Sequence, residues 1–166
     1  MGHRLALSLG VPHTVDIFDL PIEFFPVLFV PMWVLVCLLV ARIGGWSLLA
    51  EIYRSSEPFE GSKWRFQSAQ MRWWMNYNNC LTVGTNSRGL YLATFLLFRP
   101  GHPPLFVPWT DVSVNRRPGI LFTYWDFRFR RAPDLSFRIN DRLKERIAGA
   151  AGRSWPGLDT TESTAT

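Results

Sequence analysis

Between Phe24 and Ala41 the chain runs through eighteen residues, FFPVLFVPMWVLVCLLVA, without a charge. As a helix rising about 1.5 Å per residue, this run covers roughly 27 Å, close to the hydrocarbon thickness of a bilayer. A core helix would need a large apolar surface to cover it, and the remaining sequence offers none. The run therefore reads as a membrane span, residues 21–42. Pro26 falls in the first turn, where a missing N–H matters little, whereas Pro31 lies inside the run and predicts a kink. Trp33 and Cys37 stand one turn apart on a shared face. The twenty-odd preceding residues carry Asp16, Asp19 and Glu23, unlike the basic start of a signal peptide. Val36 precedes Cys37, where a lipid-attachment site would want Gly, Ala or Ser. The segment reads as a retained anchor.

Charge gives the span a direction. One base, Arg4, and three acids precede it, while the other seventeen Lys and Arg and ten acids follow. Arg42 and Arg54 lie in the flank that sets orientation by the positive-inside rule. The expected topology places the N-terminus outside and the C-terminal domain in the cytoplasm, at a cell (inner) membrane. Cys37 and Cys80 then make no disulfide framework. A sequence pI near 9.8 fits an anionic leaflet more closely than nucleic acid.

Patterning divides the remainder. Residues 1–20 form an extracytoplasmic segment too short for a domain: an interfacial helix, a docking strand or a mobile tail. Gly44-Gly45 breaks the helix. In residues 43–58, Trp46, Leu49, Ile52 and Tyr53 recur at helical spacing, giving an amphipathic helix that lies on the membrane or packs on the domain. From Lys63 the period becomes two. CLTVG and LYLATFLLF read as strands joined by a turn at Asn86–Gly89, and LFVPWTDVSV as a strand demoted to an edge or bulge by Pro108. ILFTYWDFRFRR and LSFRI follow. Asn140 caps a last helix whose buried stripe is Leu143, Ile147 and Ala151. Residues 152–166 read as a polar tail. The fold class is α+β: one transmembrane helix, then a small antiparallel sandwich or open barrel closed by a C-terminal helix.

The segments PPLFVPWTDVSV (103–114), NNCLTVG with GLYLATFLLF, and NDRLKERIAGA resemble the pleckstrin-homology fold in its bacterial or GRAM-like form, over residues 59–151. The stretch 77–114 also resembles uncharacterised bacterial membrane proteins that pair one span with such a domain. The resemblance implies a binding or scaffolding module. It departs from lipid-binding members in the region MRWWMNYNNC, where Arg72 is the only base.

No chemistry-bearing motif is evident in the sequence. His3, His13 and His102 are far apart, no ligand spacing suits zinc, and no nucleophile elbow or phosphate loop occurs. His102 reads as an exposed turn residue and Asp111 as a turn or cap. No enzyme activity and no cofactor are expected. The candidate interface residues are instead aromatic and cationic: Phe24, Phe25, Phe29 and Trp33 on the span, Trp46 and Tyr53 on the next helix, and the pair Trp73 and Trp74. In FRFRR, Arg128 and Arg130 alternate with phenylalanines and so share one strand face, extended by Arg116, Arg117, Arg131 and Arg138. That face contacts lipid phosphates or an acidic partner, or is simply solvated. Two functions fit: a non-enzymatic accessory or scaffolding subunit of a larger integral-membrane complex (respiratory or photosynthetic), or a stand-alone adaptor sensing anionic headgroups.

Overall fold

The computed structural model describes residues 24–72, 74–119 and 122–157. The segment 1–20, Trp73 and the end of the polar tail, for which expectations were stated, lie outside them. The chain divides into two units, 1–33 and 34–166.

Helix α1 (Phe25–Gly44) runs twenty residues with Pro31 inside it. It is long and apolar enough to cross a membrane, and only 17% of its apolar window is buried, unlike a core helix. Gly45 then takes a left-handed conformation (φ 87) before helix α2 (Trp46–Tyr53) begins. Only glycine adopts such a φ cheaply, and here space forbids a side chain too, because a Cβ would collide with Leu135. Trp46, Leu49 and Tyr53 are buried, and α2 lies beside strand β4 (Leu105–Pro108). Of the two expectations for this amphipathic helix, packing on the domain is the one realised.

Seven strands form one antiparallel sheet in the order β4-β3-β2-β1-β7-β6-β5. The remaining strands are β1 (Ser62–Met71), β2 (Met75–Thr85), β3 (Gly89–Thr94), β5 (Val112–Pro118), β6 (Thr123–Phe129) and β7 (Ala132–Asn140). Two meanders, β1–β4 and β5–β7, join through a short β1–β7 pairing at Gln70–Arg138 and Met71–Phe137. The expected strand LFVPWTDVSV is split at Pro108 by a 3-10 turn, Trp109–Asp111. Its halves become β4 and β5, the two sheet edges, where a strand proline leaves no ladder bond unmade. The β2–β3 turn closes through the Asn86 carboxamide oxygen, which accepts from the N–H groups of Arg88 (2.9 Å) and Gly89 (3.1 Å).

Period-two alternation turns Leu81, Val83, Leu90, Leu92, Val112, Val114, Phe127, Phe129, Phe137 and Ile139 into one core. Helix α3 (Asp141–Ala151) closes it with Leu143, Ile147 and Ala151. Asn140 caps that helix, its side-chain oxygen accepting from Leu143 N–H at 2.8 Å. The domain extends beyond the expected boundary at 151: Trp155 is buried edge-on against Trp109 and Phe127, each 5.8 Å away. A single tryptophan's apolar area outweighs the polarity of its neighbours in deciding where the core ends.

Two glycine substitutions separate conformational need from helix propensity. Gly45→Ala combines left-handed strain with overpacking and is expected to destabilise the domain by about 3 kcal/mol. Gly149→Ala, in α3 with no atom within 4 Å of the added methyl, should stabilise it by about 0.5–1 kcal/mol. Denaturant unfolding of the detergent-solubilised chain measures both.

Candidate functional site

The helix joint is fixed to the domain by a buried aromatic and imidazole cluster. Gly44 leaves room for Tyr77: a Cβ there would stand 2.9 Å from the phenol oxygen. The Trp46 ring lies 5.7 Å from Tyr77 and 5.3 Å from His102, and its Nε1–H donates to the Pro103 carbonyl at 2.9 Å. His102 Nδ1 lies 3.1 Å from the Pro100 carbonyl, and Nε2 lies 3.1 Å from the Tyr77 hydroxyl. A carbonyl only accepts, so Nδ1 carries the proton and Nε2 accepts from the phenol. His102 is therefore not the exposed turn residue expected; it is 2% exposed. Burial holds its pKa below the ordinary 6.5 and pushes the Tyr77 phenol above its ordinary 10. Gly101 (φ 74) brings the same loop against α1, where a Cβ would stand 3.0 Å from Ala41 Cβ and 3.1 Å from Leu38 Cα.

The predicted interface residues fall into distinct settings. Phe24, Phe25 and Phe29 are exposed, and Phe25, Phe29 and Trp33 stack in a ladder with centroids 5.4 and 6.0 Å apart. Trp46 and Tyr53 are corrected: both are buried, because their stripe faces the domain. The Tyr53 hydroxyl donates to Asp111 at 3.1 Å, and Arg131 sits 5.8 Å over its ring. Trp74 is exposed in the β1–β2 connection, which is a turn and not a strand.

The arginines do not form one face. Arg128 is exposed on β6, but Arg130 lies in the β6–β7 turn, its backbone N–H bound to the Asp111 carbonyl at 2.8 Å. Arg116 shares the strand phase of the buried Val112 and Val114, while Arg117 takes the opposite phase. Arg117 is engaged by an acid that sequence reading did not single out. Asp126, 2% exposed, receives Arg138 Nε at 2.7 Å and Nη2 at 3.3 Å, and Arg117 Nε at 3.1 Å. Arg138 also donates to Gln70 Oε1 at 3.2 Å, bonding β7 to β1 near their brief pairing. The sequence signal for Asp126 is its phase: it alternates with the core residues Phe127 and Phe129, among arginines on adjacent strands.

Beside this network a cavity of about 360 Å³ is lined by Gln70, Asn76, Asn78, Tyr124, Arg138 and Asn140. Another, of about 410 Å³, is lined by Tyr53, Arg54, Asp111 and Arg131. Among the described residues no three His, Cys, Asp or Glu side chains converge to hold a metal. In comparisons with known proteins, no family model, curated protein or solved structure matches the chain.

The buried pair sets a pH dependence. His102 has its folded pKa below its unfolded value, so the unfolded chain takes up the proton first. Stability should be level above about pH 6.5 and fall as the pH drops below it. For Tyr77 the folded pKa is raised, so stability should also fall as the pH rises past about 10. Urea unfolding midpoints across pH should show both limbs, with His102→Gln flattening the acid limb and leaving the alkaline one.

Proposed function

We propose that this chain is a single-pass, non-enzymatic accessory or scaffolding subunit of a larger integral-membrane complex. In this reading α1 crosses the membrane, the N-terminus is outside, and the sheet domain faces the cytoplasm. One observation carries it: α1 has two kinds of surface. Its last turns bury Cys37, Ala41 and Gly44, whereas the upstream turns expose a dense apolar face with an aromatic ladder. Apolar surface of that extent needs lipid or an apolar partner, and the stacked rings offer a partner a regular ridge to pack on.

Other observations support the reading. The chain passes from α1 to α2 through one glycine, and the buried Trp46 cluster fixes that joint to the domain. A subunit that held or oriented a neighbour would use such a stiff connection. The four-plus-three antiparallel order with a terminal helix is the arrangement expected of a pleckstrin-homology-like interaction module. The sequence before α1 carries one base and three acids, and the sequence after it is basic, in keeping with the proposed orientation.

Gentle-detergent extraction from native membranes, followed by sizing and mass spectrometry, tests this. The chain should migrate in an assembly with other membrane subunits. Phe25→Ala combined with Phe29→Ala should release it from the assembly while leaving it in the membrane fraction. Migration of the unaltered chain alone would overturn the accessory-subunit reading.

A further inference from the structure

We propose that the outer face of β1–β3, together with the loop leaving β3, is a docking site for the phosphates of anionic bilayer lipids. It is separate from the arginine-rich strands and rests on the reading that α1 spans the membrane. The residues there make a cavity of about 320 Å³ lined by Lys63, Arg65 and Arg99 together with Tyr91, Thr94 and Phe95, and by no acidic side chain. Both ion pairs among the described residues lie on Asp126, so these three exposed cations pair with no carboxylate, although Lys63 Nζ lies over the Phe59 and Tyr91 rings at 5.3 and 5.9 Å.

An apolar cluster borders this cationic cavity. Phe66 is 61% exposed and Phe95 50%, with their centroids 6.1 Å apart. Phe66 holds φ 55, an unfavourable backbone for a bulky residue, at a register shift in β1. Next, in the 3-10 turn Leu96–Phe98, Leu96 is 70% exposed and Leu97 57%. Water does not favour this arrangement of bare phenylalanine and leucine tips beside unpaired guanidinium groups. A membrane interface matches it: apolar tips enter the headgroup and acyl boundary, while arginine forks hold phosphate oxygens.

Position decides the occupant. The loop that displays Leu96 continues to Gly101, which abuts Leu38 and Ala41. Ala41 ends the uncharged run and Arg42 is the first charge after it. On a spanning α1 these turns lie at the edge of the hydrocarbon, so the adjoining loop sits at headgroup depth. A bilayer is then already against the patch, and no other partner has to be recruited.

The test uses the full chain in nanodiscs of phosphatidylcholine alone, or with roughly a quarter phosphatidylglycerol, read by hydrogen exchange. Peptides covering 62–67 and 91–99 should exchange several-fold more slowly in the anionic discs, and added salt should erase the difference. Each base removed should weaken the contact about fivefold, so Lys63→Gln, Arg65→Gln and Arg99→Gln together should abolish it. Peptides in β6 and β7 should stay unchanged, reporting an intact fold. Equal exchange in both discs would overturn the proposal. Protection by inorganic phosphate in detergent as strong as in anionic discs would overturn the bilayer as the source. Protection seen only in native membranes would assign the patch to a protein partner instead. Failure to enter discs at all would sink the spanning reading and is scored separately, by flotation.

Discussion

The rest of the structure depends on the contact between the Gly44–Gly45 joint and the Tyr77–His102 pair. Gly44 admits the phenol, Gly45 supplies the left-handed residue, and Trp46 covers the imidazole and bonds to Pro103. Each feature constrains the next. Without the glycines the Trp46 ring could not reach the loop 99–104, and without that loop the last turns of α1 would lose the surface that covers Ala41. A neutral imidazole suits this position because its two nitrogens bond at both ends, one donating and one accepting, inside an apolar cage.

What could be read in the sequence was what local physics decides. The Gly-Gly break, the Asn140 cap, the Leu143–Ile147–Ala151 stripe and the edge character imposed by Pro108 depend on neighbours within a few residues, and all four recur in the structure. The errors came where distant residues decide. RPGHPP looks like an exposed loop, and it takes Tyr77, twenty-five positions earlier, and Trp46 to make His102 a core residue. Trp155 sits in a polar tail by composition, yet it closes the core against Trp109 and Phe127. FRFRR alternates like a strand, but the chain turns after Phe129, so Arg130 leaves the face that Arg128 occupies.

Charge counting misled in a similar way. The arginines of β5–β7 looked like the main cationic surface because they cluster in sequence. One buried carboxylate, Asp126, takes up two guanidinium groups there and uses them to knit β5 to β7. A buried acid of this kind holds its partners in fixed geometry, so Arg117 and Arg138 contribute more to order between strands than to any free surface. Lys63 and Arg65 stand two positions apart with Arg99 far along the chain, and together they attract no notice in the sequence. They gain meaning only when β1 and the β3 exit come together around a cavity without an acid.

Among the described residues, folding alone does not explain the aromatic ladder of Phe25, Phe29 and Trp33 or the cationic cavity with its apolar border. They differ in chemistry. The ladder carries no charge and suits a partner without water, since stacked rings gain from close packing. The cavity combines cations with exposed phenylalanine and leucine, and suits a surface where phosphate and hydrocarbon meet. A small basic domain on a free linker would sample every orientation over a membrane. Here Gly45 and the buried Trp46 hold the start of α2 against the loop 99–104, the loop whose Arg99 lines the cationic cavity.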